Sequence, residues 1–284
     1  MAKPTWVPHN GARMIARRDL TARLTERHDL SPTCFSLLLA CPEPVHAEPG
    51  QFGMLTCGSG MDPLLRRPFS IAGVHSAGGE ATVELLVKEV GRGTGWLRRA
   101  PLGATLDLLV PLGRGFDLEA AATGRPALVA GGIGLPPVLF AAQRLAERGA
   151  CFDLFLGAVT AAELLVVDRC RAATDAAGGE LILTTDDGSH GEAGFVTEAL
   201  RRRHARGRRY QRVLACGPDP MLQAVAGWAS EAGAVAELSL EEPMACGVGV
   251  CLGCVVELAD GRRVASCKEG PVFEASRLAA HWRP

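Results

Sequence analysis

An excess of charge of one sign is what this sequence most plainly lacks. Its 30 Lys and Arg stand against 31 Asp and Glu, a net charge of −1. There is therefore no electrostatic case for nucleic acid or an anionic membrane surface as a partner. The runs Arg201-Arg202-Arg203-His204 and Arg208-Arg209 are local and read as a solvated helix end. No apolar stretch is long and unbroken enough to span a bilayer. The longest, residues 127–142, is interrupted by glycines and by Pro136-Pro137, and reads as strand, turn and helix. Residues 1–10 are polar and hold two prolines, so no secretory leader is expected there. Aromatics make up only 5 % of the chain, which is rich instead in Ala, Gly, Leu and Val. Ten cysteines without a secretion signal lead to the expectation of a reducing, cytoplasmic compartment.

What is present is most specific near the C-terminus. Cys246, Cys251 and Cys254 have four and then two residues between them, and Cys267 follows beyond an expected hairpin. This is the plant-type ligand spacing for a [2Fe–2S] cluster. Gly247, Gly249 and Gly253 would let the backbone of a tight loop approach the cluster and turn N–H groups towards its sulfurs. Residues 255–258 read as a strand, residues 259–261 as a turn, and the return through Val264 would bring Cys267 back. Four cysteines can also hold tetrahedral zinc, although zinc sites more often use two short-spaced pairs. Cys34, Cys41, Cys57, Cys151 and Cys170 are scattered and read as small core or surface residues.

At 284 residues the chain suggests two domains and a small third. Residues 11–118 read as short strands. Val83, Leu85 and Val87 alternate with Thr82, Glu84 and Lys88, and turns are expected at Gly58-Ser-Gly60, Gly78-Gly79, Pro101-Leu-Gly103 and Pro111-Leu-Gly113, a spacing that suggests a barrel. The stretch Arg66-Arg67-Pro68-Phe69-Ser70-Ile71 offers a guanidinium fork suited to a pyrophosphate, an aromatic and, in Ser70, a hydroxyl for a polar ring edge. Gly93 and Thr94 would open a short helix whose N–H groups can bind phosphate.

Residues 119–232 alternate strand and helix, which gives a parallel sheet with ligands at the strand C-termini. The glycine turn Gly131-Gly-Ile-Gly-Leu-Pro-Pro137 opens a helix expected over residues 138–148. It is not the GxGxxG fingerprint, yet it is strand, glycine turn and helix. A second helix is expected over residues 161–170. Gly132, Gly134 and Pro136 on the first loop and Cys216, Gly217 and Pro218 on a later one are the candidate nucleotide-binding residues. Cys216 reads equally well as a small residue in a sharp turn. The loop at residues 158–162 has no Arg or Lys for a 2′-phosphate, which favours NAD over NADP.

The barrel elements Arg67 to Ser70 and Gly93-Thr94 resemble the FAD-binding barrel of the ferredoxin–NADP reductase superfamily. The whole order of barrel, nucleotide domain and four-cysteine segment (residues 233–284) is similar to the electron-transfer subunits of class 1B dihydroorotate dehydrogenases. The stretches that carry the resemblance include Pro49-Gly-Gln-Phe52, Thr185-Asp-Asp-Gly-Ser189, Ser239-Leu-Glu-Glu242, Met244-Ala-Cys-Gly-Val-Gly-Val-Cys251 and Gly270-Pro-Val-Phe273. The resemblance implies FAD held by Arg67, Pro68, Phe69 and Ser70, with Leu86, Val87, Lys88, Gly93 and Thr94 lining it, and a cluster on the four cysteines. Lys88 stands where the family more often has arginine, and Val87 where an aromatic is common.

The same resemblance implies a relay. An FMN-bearing catalytic subunit oxidises dihydroorotate in pyrimidine (UMP) biosynthesis, and electrons reach NAD through the [2Fe–2S] cluster and FAD within a heterotetramer. Two alternatives remain at this stage. One is the flavin/iron–sulfur subunit of an NADH-dependent ferredoxin:NADP oxidoreductase or sulfide dehydrogenase. The other is a non-catalytic zinc-binding module. No acid or base residue is assigned.

Overall fold

A computed structural model describes residues 17–58, 60, 62–77 and 80–282. The expected turns at Gly58-Ser-Gly60 and Gly78-Gly79 fall partly or wholly outside these residues, as does the polar opening. Six strands close an antiparallel barrel: β1 (Arg18–Asp29), β2 (Cys34–Cys41), β3 (Phe52–Leu55), β4 (Arg67–Ala77), β5 (Glu80–Lys88) and β6 (Thr105–Leu112), in the order β1-β2-β5-β4-β3-β6. Alternation drives the closure. Leu20, Ala22 and Leu24 are buried while Asp19, Thr21 and Arg23 are exposed, and Val83, Leu85 and Val87 join the same interior. Between β5 and β6, the helix α1 (Arg92–Arg99) starts at a capping turn. The Thr94 hydroxyl accepts from the N–H groups of Val90 and Gly91 at 2.9 and 3.2 Å.

The middle of the chain runs α2 (Leu118–Ala122), β7 (Ala127–Gly131), α3 (Leu135–Glu147), β8 (Asp153–Ala158), α4 (Val167–Ala176), β9 (Leu181–Thr185), β10 (Glu192–Ala193), α5 (Val196–Ala205), β11 (Arg212–Cys216), α6 (Asp219–Ala232) and β12 (Val235–Ser239). Then come β13 (Val255–Glu257), β14 (Arg263–Ala265), α7 (Ser266–Glu269) and β15 (Val272–Glu274). The central sheet is ordered β10-β9-β8-β7-β11-β12-β15, parallel except for β15, and β13 and β14 form a separate hairpin. Strands β9-β8-β7-β11-β12 follow a doubly wound order that reverses between β7 and β11. The loops after those two strands are therefore the ones that open into the crevice.

α3 fastens the two halves together. Leu139 and Leu145 are fully buried in the nucleotide-side core, each burial contributing about 1.5–3 kcal/mol. Phe140, from the same helix, enters the barrel core. The expected helix over residues 161–170 is corrected. Residues Ala161–Glu163 form a single 3-10 turn, Val166 adopts a left-handed φ of 43°, and α4 starts only at Val167. Leu165, nearly fully buried, anchors the intervening extended link in the core, which a continuous helix would not allow.

Candidate cofactor cleft and cluster site

Barrel, nucleotide sheet and C-terminal segment meet at a cleft of about 630 Å³. The barrel wall carries Arg67, Pro68, Phe69 and Ser70 from β4, Leu86 and Lys88 from β5, and Gly93 and Thr94 from the start of α1. Of the neighbouring arginines, Arg66 is held away by Asp19 at 2.8 Å, and Arg67 is the one that lines the cleft. Gly93 sits against it: a side chain there would come within 3.1 Å of Cys57 Cβ and 3.5 Å of Arg67 Nε. Val87 is the exception among the residues expected here. Its side chain is buried in the barrel interior, because alternation along β5 turns Leu86 and Lys88 to the cleft and Val87 away from it.

The nucleotide wall is made by Ile133 and Pro136. Gly132, Gly134, Cys216, Gly217 and Pro218 occupy the two loops of the switch point and are not among the residues lining this cleft. The loops touch there: a Cβ on Gly134 would collide with the Cys216 carbonyl, so only glycine allows the approach. Cys216 is 1 % exposed, and burial pushes its thiol well above the ordinary range, with the Glu241 charge adding to the effect. Around the loop at residues 158–162 the charges are acidic. Burial, with the charges of Asp187 and Glu163, raises the Asp186 carboxyl, and Ser189 Oγ accepts from the Ala161 N–H at 2.8 Å. Lys88 from the barrel reaches this corner and sits 3.8 Å from Glu163.

The third wall, residues 240–244 with Pro271, was not foreseen as part of a cleft. It brings in Glu241 and Glu242. The missing signal was β12: residues 235–239 alternate weakly and follow directly on a helix, so the C-terminal end of a strand pointing into the crevice was not recognised. Two residues beyond Met244 comes Cys246. Phe52 belongs to the cleft and also packs with Met54, Leu112, Cys254, Cys267 and Met244, so a single apolar layer separates cleft from cysteines.

The four cysteines expected to hold a cluster lie on the loop after β12 and at the start of α7. Cys246 is half-buried and Cys251 exposed, whereas Cys254 and Cys267 are buried and share one small core with Phe52 and Met54. Among the described residues no three His, Cys, Asp or Glu side chains surround a point suited to one metal ion. The four cysteines would instead suit a two-iron cluster, which they would hold through their thiolates. Backbone N–H groups point at the sulfurs: Val248 to Cys246 Sγ at 3.4 Å, Gly253 to Cys251 Sγ at 3.5 Å and Cys267 to Cys254 Sγ at 3.4 Å. Slight burial disfavours the Cys246 thiolate, but the N–H groups of Val248, Cys251 and Val250 outweigh it and bring the thiol down to about 6. Burial, helped by Cys254, pushes Cys267 up to about 12. Gly247 has a φ of 67°, and a side chain on it would meet Met54 Cγ at 2.6 Å, so its role includes packing the loop on the barrel. Gly253 has no close neighbour that a Cβ would strike.

A closed FAD-type barrel followed by a doubly wound nucleotide sheet defines a reductase of the ferredoxin–NADP reductase kind. Solved structures agree. The protein reported as an NADH-dependent reduced ferredoxin–NADP oxidoreductase superposes with a TM-score of 0.80 at 28 % identity, covering 92 % of this chain and 90 % of that one. A flavohemoglobin from Malassezia yamatoensis shares the fold at TM-score 0.60 and 20 % identity, covering 79 % of this chain and 60 % of its own. Residues 241–279 match the iron–sulfur cluster binding domain of dihydroorotate dehydrogenase B, and residues 128–227 match the oxidoreductase NAD-binding domain. The dihydroorotate dehydrogenase B (NAD(+)) electron transfer subunit of Bacillus caldolyticus is 40 % identical over 234 residues, 81 % of this chain and 86 % of that protein. Its counterpart from Desulforamulus reducens is 39 % identical over 230 residues, 80 % of this chain and 85 % of that protein. The chain belongs to this family of electron transfer subunits, NAD-linked oxidoreductase components with FAD and a [2Fe–2S] cluster.

Proposed function

We propose that this chain links an FMN-bearing, dihydroorotate-oxidising catalytic subunit to NAD in pyrimidine (UMP) biosynthesis, as part of a cytoplasmic heterotetramer. The observation that carries this reading is the shared cleft, in which a phosphate-type barrel wall, the nucleotide switch loops and the cluster segment meet. Arg67, with the N–H groups at Gly93 and Thr94, holds the FAD pyrophosphate. Pro68, Phe69, Ser70, Leu86 and Lys88 position the ring system, and the backbone of Val87 completes the strand between the last two. Pro136 and the two switch loops, with Gly132, Gly134, Cys216, Gly217 and Pro218, receive NAD. Cys246, Cys251, Cys254 and Cys267 hold the cluster. When bound, the cluster supplies one-electron transfer, the flavin either one or two, and nicotinamide hydride chemistry. The apolar layer of Phe52, Met54 and Leu112 keeps water out of the space between cleft and cluster.

The cluster loop also supplies a docking edge for the catalytic subunit. Val250 and Leu252 flank Cys251 and are 76 % and 65 % exposed, while Cys254 and Cys267 are buried behind them. Large apolar side chains presented to solvent beside a ligand suit a partner that must approach closely.

The likeness to the NADH-dependent ferredoxin–NADP oxidoreductase supports a second reading in which ferredoxin is the redox partner. The complete four-cysteine set and the greater identity to the dihydroorotate family favour the first. The deciding experiment is the absorbance spectrum of the anaerobically purified chain before and after NADH. Flavin bands with broad cluster absorption, bleached by NADH, are expected. A protein that stays colourless after reconstitution with FAD, iron and sulfide would overturn the relay and restore the zinc-binding alternative.

A further inference from the structure

The cluster segment contains one polar atom whose position the four-cysteine reading leaves unused. Ser266 is completely buried, and among the described residues its Oγ is one of a small set of buried side-chain atoms with no hydrogen-bond partner. Its own backbone is fully engaged. The Ser266 N–H donates to the Cys254 carbonyl at 2.8 Å, and its carbonyl accepts from the Gly270 N–H at 2.9 Å. The next N–H along, that of Cys267, donates to Cys254 Sγ at 3.4 Å. Ser266 is thus pinned from both sides, next to one cluster ligand and bonded to the backbone of another.

The surroundings offer the hydroxyl little. Cys254, whose carbonyl accepts from Ser266, and Cys267, the next residue, pack with the apolar Phe52, Met54 and Leu112. A hydroxyl shut into such a place without a partner is costly, and native proteins rarely keep one without a reason. An alanine would fill the position with no polar group to satisfy. The acceptors that a bound cluster adds to this pocket are its bridging sulfides and the thiolates of Cys254 and Cys267. Hydrogen bonds to these sulfurs favour the more negative, reduced state and raise the reduction potential.

We infer that Ser266 is a positioning and tuning residue for the cluster, its hydroxyl donating a hydrogen bond to a cluster sulfur and setting the potential above that of the three N–H bonds alone. This rests on the chain holding a [2Fe–2S] cluster. It concerns a side chain that takes no part in ligation.

The test is a redox titration of the reconstituted full chain, followed by electron paramagnetic resonance of the reduced cluster, for wild type, Ser266→Ala and Ser266→Thr. The expected result is a midpoint potential shifted to more negative values in Ser266→Ala at unchanged iron and flavin content, with altered g-values. Ser266→Thr, which keeps the hydroxyl, returns both towards wild type. A cluster in Ser266→Ala with wild-type potential and g-values overturns the inference. So does a shift of the same size in Ser266→Thr, because the hydroxyl would then be irrelevant. If Ser266→Ala assembles no cluster, a cluster at wild-type potential in Ser266→Thr supports the inference. Failure of both variants, with FAD still bound, overturns it in favour of a purely steric role. A wild-type chain that binds no cluster would instead remove the underlying reading, an outcome visible before either variant is made.

Discussion

Arg169 on α4 donates two parallel hydrogen bonds, of 2.6 and 2.8 Å, to the two carboxylate oxygens of Glu84 on β5. The pair crosses from the nucleotide sheet to the barrel, four residues before Lys88 on the cleft-lining strand. Glu84 is buried, and this fork satisfies both of its carboxylate oxygens. The guanidinium is correspondingly held above its usual range by the bond to Glu84, against the opposing effect of burial. Arg169→Met would strand the Glu84 carboxylate and is expected to cost roughly 2–4 kcal/mol. Because the lost contact lies between domains, flavin reduction by NADH should slow while FAD and iron content stay normal. Urea unfolding and stopped-flow absorbance check the two halves. Unchanged stability and rate would mean that α3, through Phe140, sets the domain orientation by itself.

The pair also marks where sequence reading ran out. Glu84 alternates with Val83 and Leu85 and lies on the face of β5 opposite that apolar set, as the period implies. Its burial could not be read, because the covering residue is 85 positions away on a helix whose start was itself misplaced. Local signals carried well wherever a period or a punctuating residue set the structure. The barrel alternation, the glycine turn after β7 and the cysteine spacing are such cases. They failed where tertiary packing decides. The link at residues 164–166 breaks an otherwise plausible helix because Leu165 must reach the core. Val87 is a different case: the period alone places it inward with Val83 and Leu85, and only the resemblance sets it at the cofactor. The third cleft wall arises because β12 and β15 join the nucleotide sheet, a pairing of strands 33 to 37 residues apart that no short window contains.

Arg67 is the residue on which FAD affinity should depend most. Arg67→Ala is expected to weaken FAD binding by about 1.5–3 kcal/mol for lost hydrogen bonds to a charged group. That corresponds to roughly a 10- to 150-fold rise in Kd. Arg67→Lys should recover only part of it, since the charge remains while the fork is lost. Arg66→Ala, which removes the bond to Asp19 on the outside of the barrel, should leave FAD affinity nearly unchanged. Fluorescence titration of the FAD-stripped chain separates the three. Equal losses at Arg66 and Arg67 would contradict the assignment.

Asp153 should govern acid stability. It is fully buried at the start of β8 and takes hydrogen bonds from Arg125, from the Tyr210 hydroxyl at 2.8 Å and from the Glu180 N–H at 2.9 Å. Burial alone would raise its carboxyl, but the bonds from Arg125 and Tyr210 outweigh burial and hold it below the ordinary value. A carboxylate held lower in the folded state stabilises fully above the unfolded value, about pH 4, and that contribution is lost as pH falls through the folded value. The melting temperature should therefore drop below about pH 4. Asp153→Asn should lose about 3 kcal/mol or more at neutral pH, because Arg125 is left without its counter-charge, and should show a flatter acid limb. Thermal melts from pH 3 to 7 read both effects. An acid limb as steep in Asp153→Asn as in wild type would place the sensitivity elsewhere.

Val250 and Leu252 carry the partner prediction. Leu252 holds a left-handed φ of 58°, uncommon for a branched residue, and a loop that keeps it displayed to solvent has some use for the display. Val250→Asp and Leu252→Asp each place a charge where an apolar anchor would be buried against the catalytic subunit. Each is expected to weaken association by at least about 2 kcal/mol, a roughly thirtyfold rise in Kd. The cluster spectrum should be retained, because both side chains are exposed whereas Cys254 and Cys267 are buried. Sedimentation of the chain mixed with a dihydroorotate-oxidising FMN subunit measures the first, and visible absorbance the second. Wild-type association in both variants would move the docking edge off the cluster loop. The next exposed apolar group at the cleft mouth, Val90, would then become the place to look.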